Sequence, residues 1–401
     1  MSRLSELLAE HCPQGVDFKA LGEVGTFLRG SGLQKKDFVE AGVGCIHYGE
    51  IYKHYGTTTS KTRSFVSPEH AAKLKTAEHG DLIITTTSEN EADVCKAVAW
   101  MGAASVAFGG HSCAFQHDLD PAYAAYYFQT AAFHAQKRKF VWGTKVKDIK
   151  TADLATIRIP VPPRPVQAEI ARILDESSAL TIALIAELEA ESLGRTKQHH
   201  QYRRTLLARS TAGVPVRDLG EVVTNKDRER RPVTRAAREA GPFPYYGANG
   251  VQDHVAGFLF DGTFLLVGED GSVTRPDGTP VLNWAEGKIW VNNHAHVLGA
   301  GSGEIPLRFL YHYLQTVDIS VFVTGSAQPK LNQANLNKIP IPVPERSAQL
   351  QVVDHLDAAE MALGGLRADL RHEVTLRQKQ FEYYREMLFV LPVAVVAESA
   401  A

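Results

Sequence analysis

Two stretches of the chain, 167–206 and 349–388, keep apolar side chains at heptad distance and contain no proline. In the second, Leu356, Leu363 and Leu370 fall on one line, Val352, Ala359 and Leu366 on another, and Val374, Phe381 and Leu388 extend the pattern. The first follows more loosely through Ile170, Leu174, Leu184 and Leu188. So narrow a stripe predicts long helices that pair as a coiled coil. At 1.5 Å rise per residue each is a rod of roughly 60 Å. Ile170, Leu174, Leu184, Leu188, Val352, Leu356, Leu363, Leu366 and Leu370 are the expected helix-pairing residues. Gly194 and the Gly364-Gly365 pair have poor helix propensity, so a bend or break is expected there.

Ahead of each helix the pattern changes to short apolar runs separated by glycine and polar turns, as in mixed domains with short strands. Residues 81–87 and 105–108 are such runs in the first half, and 262–267, 288–291 and 295–298 in the second. Each domain is closed by a proline-rich segment, IPVPP at 159–163 and IPVPE at 341–345. Proline fixes φ and biases its predecessor toward extended geometry, so these segments read as linkers.

The halves are copies of one another. GV..K.LGEV, beginning at Gly15, returns as GV..R.LGEV at Gly213, 198 positions on. A longer block beginning at Gly143 returns ungapped at Gly325, 182 positions on, and carries IPVP, Gln167 against Gln349, Leu174-Asp175 against Leu356-Asp357, Lys197-Gln198 against Lys379-Gln380, and Tyr202-Arg203 against Tyr384-Arg385. The offset falls from 198 to 182, so the second copy is 16 residues shorter between the blocks, and there the sequences diverge. A shared framework with unlike contents is expected of one architecture used twice to recognise two things. Two helices of equal length, each preceded by a recognition-sized domain, suit a spacer better than an ordinary dimerisation pair.

At 401 residues the chain has room for two to four domains. Its formal net charge of −2 excludes the strong positive field of many free-standing nucleic-acid binders, so any DNA contact must come from local patches. Cys12, Cys45, Cys95 and Cys113 form no CxxC pair and suggest reduced thiols in a cytoplasm. The first ten residues lack the apolar core of a signal peptide, and the longest apolar run, 388–397, is far shorter than a membrane span.

Cations interleaved with aromatic and amide side chains suit a DNA groove. In the first half these are Lys35, Lys36, His47, Tyr48, Lys53, Lys61 and Arg63, then Lys137, Arg138, Lys139, Trp142 and Lys145. In the second they are Lys226, Arg228, Arg230, Arg231, Tyr245, Tyr246 and Asn249, then Asn292, Asn293, His294, Gln328 and Lys330. Solvated surface is the common fate of Lys and Arg, and Asn292-Asn293-His294 suits a backbone-bonding turn as well as a base contact. Metal sites are poorly supported, since neither His294 with His296 nor His111, Cys113 and His117 has a convincing further ligand. Asp81, Glu89, Glu91 and Lys96 resemble a nuclease grouping only superficially and have no counterpart in the second copy. The sequence contains no GxxxxGK[ST] phosphate loop, no GxGxxG after a strand and no Asn-Pro-Pro-aromatic methyltransferase motif.

The paired GV…LGEV segments, YYGANG (245–250), VNNHAHVL (291–298), GSAQPKLNQANLNKIPIPVP (325–344) and helices ending near Tyr202-Arg203 and Tyr384-Arg385 resemble the specificity subunits of type I restriction–modification systems, over nearly the whole chain. The resemblance implies an α+β chain: two mixed α/β target-recognition domains separated by two long, roughly antiparallel coiled-coil helices in a pseudo-two-fold repeat. The expected layout is a first target-recognition domain over 1–163, a spacer helix over 164–209, a second domain over 210–345, a second spacer helix over 346–391 and a tail over 392–401. It further implies a non-catalytic subunit that binds double-stranded DNA at a split target and docks two adenine-N6 methyltransferase subunits and motor-nuclease restriction subunits. S-adenosylmethionine, ATP and Mg are then expected on those partners and no cofactor on this chain. One departure is that Val146-Lys147-Asp148 stands where the second copy has Gln328-Pro329-Lys330, so contacts there do not transfer between copies. The rival readings are a helical scaffold without DNA and a metal-dependent hydrolase.

Overall fold

The internal repeat is also a structural one. The computed structural model describes residues 2–301, 303–325 and 328–394. Within the quoted motifs, Ser326 and Ala327 lie outside the described residues, as does the tail from 395 onward.

Each copy of the framework is built the same way. Phe18–Ala20 pairs antiparallel with Arg158–Pro160, placing Lys19 opposite Ile159, and Val216–Asp218 pairs with Pro340–Pro342, placing Arg217 opposite Ile341. The IPVP segments expected to be linkers are therefore strands. They sit at the margin of two-stranded sheets, where a proline without an N–H is tolerated. Each LGEV forms one helical turn, Leu21–Val24 and Leu219–Val222. Its first two amides donate to the chain ahead of IPVP: Leu21 and Gly22 to Ile157 and Ala155, Leu219 and Gly220 to Ile339 and Asn337.

Between these framework pieces the units differ. In the first unit (residues 1–187 with 373–401) a five-stranded sheet runs in the order Gly25–Arg29, Ser112–His117, Leu82–Thr85, Ala97–Trp100, Thr58–Thr59. A second runs Phe38–Val39, Ser64–Val66, Val43–Ile46, Val106–Phe108, Lys75–Ala77. Successive side chains of a strand face opposite ways. Ile83, Val98 and Ala114 accordingly share one core cluster with Ile46 and Phe108 of the other sheet, while Leu82, Ile84, Cys113 and Phe115 join helix Pro121–Tyr127 in another. Burial on both faces explains the unalternated Leu-Ile-Ile run.

The second unit (188–372) has one six-stranded sheet in the order Val223–Asn225, Ala295–Ala300, Phe260–Gly268, Leu282–Val291, Ala240–Gly247, Gly250–Val255. Leu265, Val267 and Leu298 pack with Phe309, Leu310 and Leu314 from helix Leu307–Leu314, and Leu266, Ile289 and Val297 line the other face.

The long helices run unbroken over Arg164–Ser210 (47 residues) and Arg346–Leu388 (43 residues). No break occurs at Gly194 or at Gly364-Gly365. Each glycine costs about 1 kcal/mol relative to alanine, a small penalty beside the tertiary packing of the helix ends in the two cores. The pairing residues divide into two groups. Ile170 and Leu174 lie in the first unit's core and Val352 and Leu356 in the second's, each with side chains of the adjoining domain. Leu184, Leu188, Leu363 and Leu366 are half-buried and Leu370 is buried, continuing the stripe.

In each unit the start of one long helix shares a core with the end of the other. Val166, Ile170 and Leu174 share a core with Phe381 and Leu388 of the second helix and with Phe389 and Leu391 just past its end in the first, and Val352 and Leu356 share one with Leu207 in the second. The repeated carboxylates do equivalent work: Asp175 accepts from the Tyr126 hydroxyl (2.8 Å), and Asp357 accepts from His312 Nε2 and Arg308 Nε (2.6 Å each). The repeated arginines anchor the helix ends, Arg203 to Gln315 (2.8 Å) and Arg385 to Gln129 (3.4 Å). Near the chain ends Val16 forms a parallel bridge with Val393, where a side chain on Gly15 (φ 98°) would strike the Val393 backbone. Their counterparts Thr211 and Val214 are joined by the chain itself. Among the described residues no helix is long and apolar enough to cross a membrane. All four cysteines are buried free thiols.

Candidate nucleic-acid interface

The ungapped repeat begins in a loop whose described ends are held by the same contacts in both units. Trp142 bridges Asp148, and Thr324 bridges Lys330, each antiparallel. The next amide is anchored on the neighbouring strand, Ile149 to the Thr86 carbonyl (3.1 Å) and Leu331 to the Glu269 carbonyl (2.8 Å). Gly143 (φ 99°) and Gly325 (φ 85°) take the left-handed conformation, and a Cβ on either would run into the carbonyl of Val146 or of Gln328. Beside each loop lies a cleft.

The first cleft, about 560 Å³, is lined by Lys35, Phe38, His47, Tyr48, Tyr52 and Lys53, by Thr87–Ser88 and Asn90 with Val146 beside them through the Lys147–Ser88 pairing, and by the carboxylates of Glu50, Glu89 and Asp93. His47 caps helix Tyr48–Lys53: its Nδ1 accepts from the Gly49 amide (3.1 Å), while Glu50 accepts from the His47 amide (2.9 Å). Burial lowers the His47 pKa, with Lys35 and His111 acting in the same direction against Glu50. Tyr48 packs between His47 and His111, with ring centroids 4.4 and 4.9 Å away. Lys35, Lys36, Lys53 and Lys61 are exposed, and Arg63 meets His54 Nδ1 at 3.3 Å.

The run Lys137, Arg138, Lys139 divides by burial. Lys137 is 1% exposed and donates to the carbonyls of Val94 (2.6 Å) and Ala92 (3.2 Å), so it is a core strut that no ligand reaches; burial lowers its pKa. Arg138 pairs with Glu91 at 2.8 Å on the surface, and Lys139, Lys145 and Trp142 are exposed.

The second cleft, about 410 Å³, is lined by Ala248, Asn249, Gln252, Asp270, Ser272, His294, Gln328 and Lys330. Asn249 Nδ2 donates to Ser272 Oγ (2.7 Å), Lys330 pairs with Glu269 (3.3 Å), and His294 pairs with Asp270. Buried Asn292 accepts from the His294 amide (2.8 Å), the turn role, while Asn293 and His294 project outward. Arg228 and Arg231 are exposed, Lys226 pairs with Glu229 (3.0 Å), and Tyr246 is half-buried.

As with Lys137 and Asn292, two further expected DNA contacts, Tyr245 and the half-buried Arg230, are engaged structurally instead. Tyr245 is 1% exposed, its ring under the Arg238 guanidinium at 4.1 Å, and its hydroxyl meets the Val233 backbone. Arg230 pairs with Glu269 (2.7 Å) and Asp227 (3.6 Å) and donates to the Ala295 carbonyl (2.7 Å). His296 completes this network, Nδ1 to Asp227 (2.5 Å) and Nε2 to the Leu331 carbonyl (2.7 Å). Burial alone would raise the Asp227 pKa, but His296, the Val297 amide and Arg230 together lower it.

His296 thus points inward, parted from His294, and with Asp227 and Glu269 forms a ligand-like trio. The Arg230 guanidinium already supplies its positive charge. Arg308 does the same for His312, Asp357 and Glu360. His111 meets Thr87 Oγ1 and His117 accepts from the Leu119 amide, so neither is drawn toward Cys113. Asp81 accepts from the Glu78 amide, Lys96 donates to the Tyr52 carbonyl and Glu91 pairs with Arg138, so these three groups of the nuclease-like set take separate partners. Gln252, Asp270 and Ser272 are cleft residues that the sequence reading missed; Gln252 lies two residues past YYGANG, the one local signal available.

Residues 13–191 and 212–370 each match the family model described as the type I restriction modification DNA specificity domain. A putative type I restriction enzyme specificity subunit from Haemophilus influenzae is 42% identical over 191 residues, 46% of this chain and 49% of the relative. The EcoprrI specificity subunit from Escherichia coli is 30% identical over 197 residues, 48% of each. The chain thus spans about half the length of these curated relatives. Among solved structures, a chain from a study of complex assembly and conformational transition in the type I R-M system superposes with a TM-score of 0.68 at 16% identity, covering 94% of this chain and 98% of that one. The HsdS subunit from Thermoanaerobacter tengcongensis gives 0.52, also at 16% identity, over 94% and 97%. At such identity the likeness is one of fold.

Proposed function

Because the chain belongs to the type I restriction–modification DNA specificity family, we propose that it is the DNA-reading subunit of such a complex, each unit recognising one part of a split target. The observation that carries this reading is the repeated loop, which sets a cleft at the same framework position in both units while the clefts are lined by different chemistry. Exposed Lys35, Lys36, Lys53, Lys61, Lys139 and Lys145 in one unit, and Arg228 and Arg231 in the other, would hold phosphates. Side chains inside the clefts would meet base edges. The chemistry would belong to adenine-N6 methyltransferase and motor-nuclease partners, which would carry S-adenosylmethionine, ATP and Mg.

The helices would set the unread distance between the two parts of the target. Methylome sequencing of cells with and without this gene tests the reading. A bipartite motif that disappears with the gene supports it; a chain whose loss changes no motif is a scaffold or an unrelated enzyme. The ruler has its own test. Four residues inserted into the first long helix add roughly 6 Å, and at about 3.4 Å per base pair the spacer lengthens by one or two pairs. Retention of the original spacing removes the measuring role.

A further inference from the structure

The loop shared by the two units places one residue of each unit in its cleft: Val146 in the first and Gln328 in the second, 182 positions apart and so the same position of the repeat. The contacts that hold the two ends of the loop do not involve these side chains. They are a backbone bridge, a left-handed glycine and an anchored amide, and residue 146 or 328 contributes only its carbonyl beside that glycine. A position whose side chain takes no part in those contacts can change chemistry without unfolding its surroundings.

The two side chains differ in kind. Val146 is 53% exposed, an aliphatic group in a cleft that Phe38, Tyr48 and Tyr52 also line, next to the strand Thr87–Ser88. It has no hydrogen-bonding capacity, and the base feature such a group can read is the C5 methyl of thymine. The Gln328 carboxamide is exposed and has no hydrogen-bond partner among the described residues. Its neighbours are engaged: Asn249 with Ser272, Gln252 with Asn292, His294 with Asp270, Lys330 with Glu269. A free carboxamide offers a donor and an acceptor side by side, the complement of adenine N7 and N6.

We propose that this loop position is a specificity determinant in both units, with Val146 reading a thymine methyl and Gln328 reading an adenine edge. The proposal rests on the DNA-reading role above and adds which residue reads and what it reads. It is tested with the full chain in its complex, expressed in cells lacking the native gene, by genome-wide methylation sequencing. In Gln328→Val, preference for A·T at one position of one half-site falls about tenfold or more while the other half-site is unchanged. Val146→Gln alters only the opposite half-site. Gln328→Glu keeps the shape but lacks the donor, so it exchanges adenine preference for cytosine, whose N4 amine donates; this near-isosteric variant decides the matter should Gln328→Val be inactive. If the variants methylate the wild-type motif at evenly reduced efficiency, or lose preference in both half-sites at once, the loop only positions the backbone and the inference falls. Absence of any bipartite motif in the wild type would instead overturn the DNA-reading role itself.

Discussion

The first unit holds its cleft on two five-stranded sheets, and the second holds its own on one six-stranded sheet, yet both enter and leave through the same strand pair, helical turn and loop. The two solutions also treat charge differently. The first puts aromatic rings at the cleft and buries a lone lysine against carbonyl oxygens. The second lines its cleft with amides and places beneath it a network of Arg230, Asp227, Glu269 and His296. Backbone contacts at the boundaries carry the architecture, so the contents between them are free to differ as long as each fills its own core.

The sharpest way to break this comparison is to remove the cation of the second unit's network. Arg230→Ala leaves the largely buried Asp227 and Glu269 carboxylates with His296 and, for Glu269, the exposed Lys330, and loss of one partner of such a charge cluster costs about 3 kcal/mol. Chemical denaturation should show the loss. Hydrogen exchange should place it in the second unit's strands Phe260–Gly268 and Ala295–Ala300, with protection unchanged in the first unit. Uniform loss across both units would mean that the two cores unfold as one.

A second effect separates the units by pH. The repeated aspartates receive a tyrosine in one unit and a histidine in the other. Burial pushes the His312 pKa down to about 4; the Asp357 carboxylate opposes this, but Arg308 already neutralises that carboxylate, and Arg203 lies nearby. Folded His312 stays neutral down to about pH 4, while in the unfolded chain it takes a proton near its ordinary 6.5. Its contribution is therefore complete above pH 6.5 and is lost as pH falls toward 4, on the order of 3 kcal/mol. Burial pushes the Tyr126 pKa up, so the first unit has no such term at that position. His312→Gln keeps an N–H for Asp357 and should flatten the second unit's pH dependence in this window. An unchanged slope there would assign the proton uptake to other groups.

The repeat, the helices and the framework were legible because their signals are local or exactly periodic: LGEV, IPVP and the Leu-Asp pair keep register, and the heptad stripe needs no knowledge of what covers it. The strand Ala97–Trp100 went unread because Ala-Val-Ala-Trp is buried on both faces and shows no alternation. Lys137 and Arg230 look like phosphate-binding cations in sequence, since Val94, which holds the first, and Glu269, which joins the nearby Asp227 in holding the second, lie 43 and 39 residues away. Residue type gives charge, whereas availability of that charge is set by long-range packing. IPVP looked like a linker for the same reason, its partner strand lying more than a hundred residues upstream in each copy.

The finest test compares one repeated side chain with itself. Gln167 and Gln349 occupy the same position, and each donates through Nε2 to a proline carbonyl at 2.7 Å, Pro162 and Pro344. Gln167 Oε1 also accepts from the Asp120 amide at 2.8 Å, the residue that caps helix Pro121–Tyr127, whereas Gln349 Oε1 is buried with no partner. An unmade buried hydrogen bond costs about 1–3 kcal/mol. Gln167→Ala strands both a donor and an acceptor, so it should cost about 2 kcal/mol. Gln349→Ala strands one acceptor and removes an oxygen that was already unpaired, so it should cost about 1 kcal/mol or less. Paired urea titrations of the two variants read the difference directly. Equal losses would mean that Gln349 Oε1 has a partner in solution, most simply a bound water, and that the two copies of the framework are energetically alike where they look geometrically different.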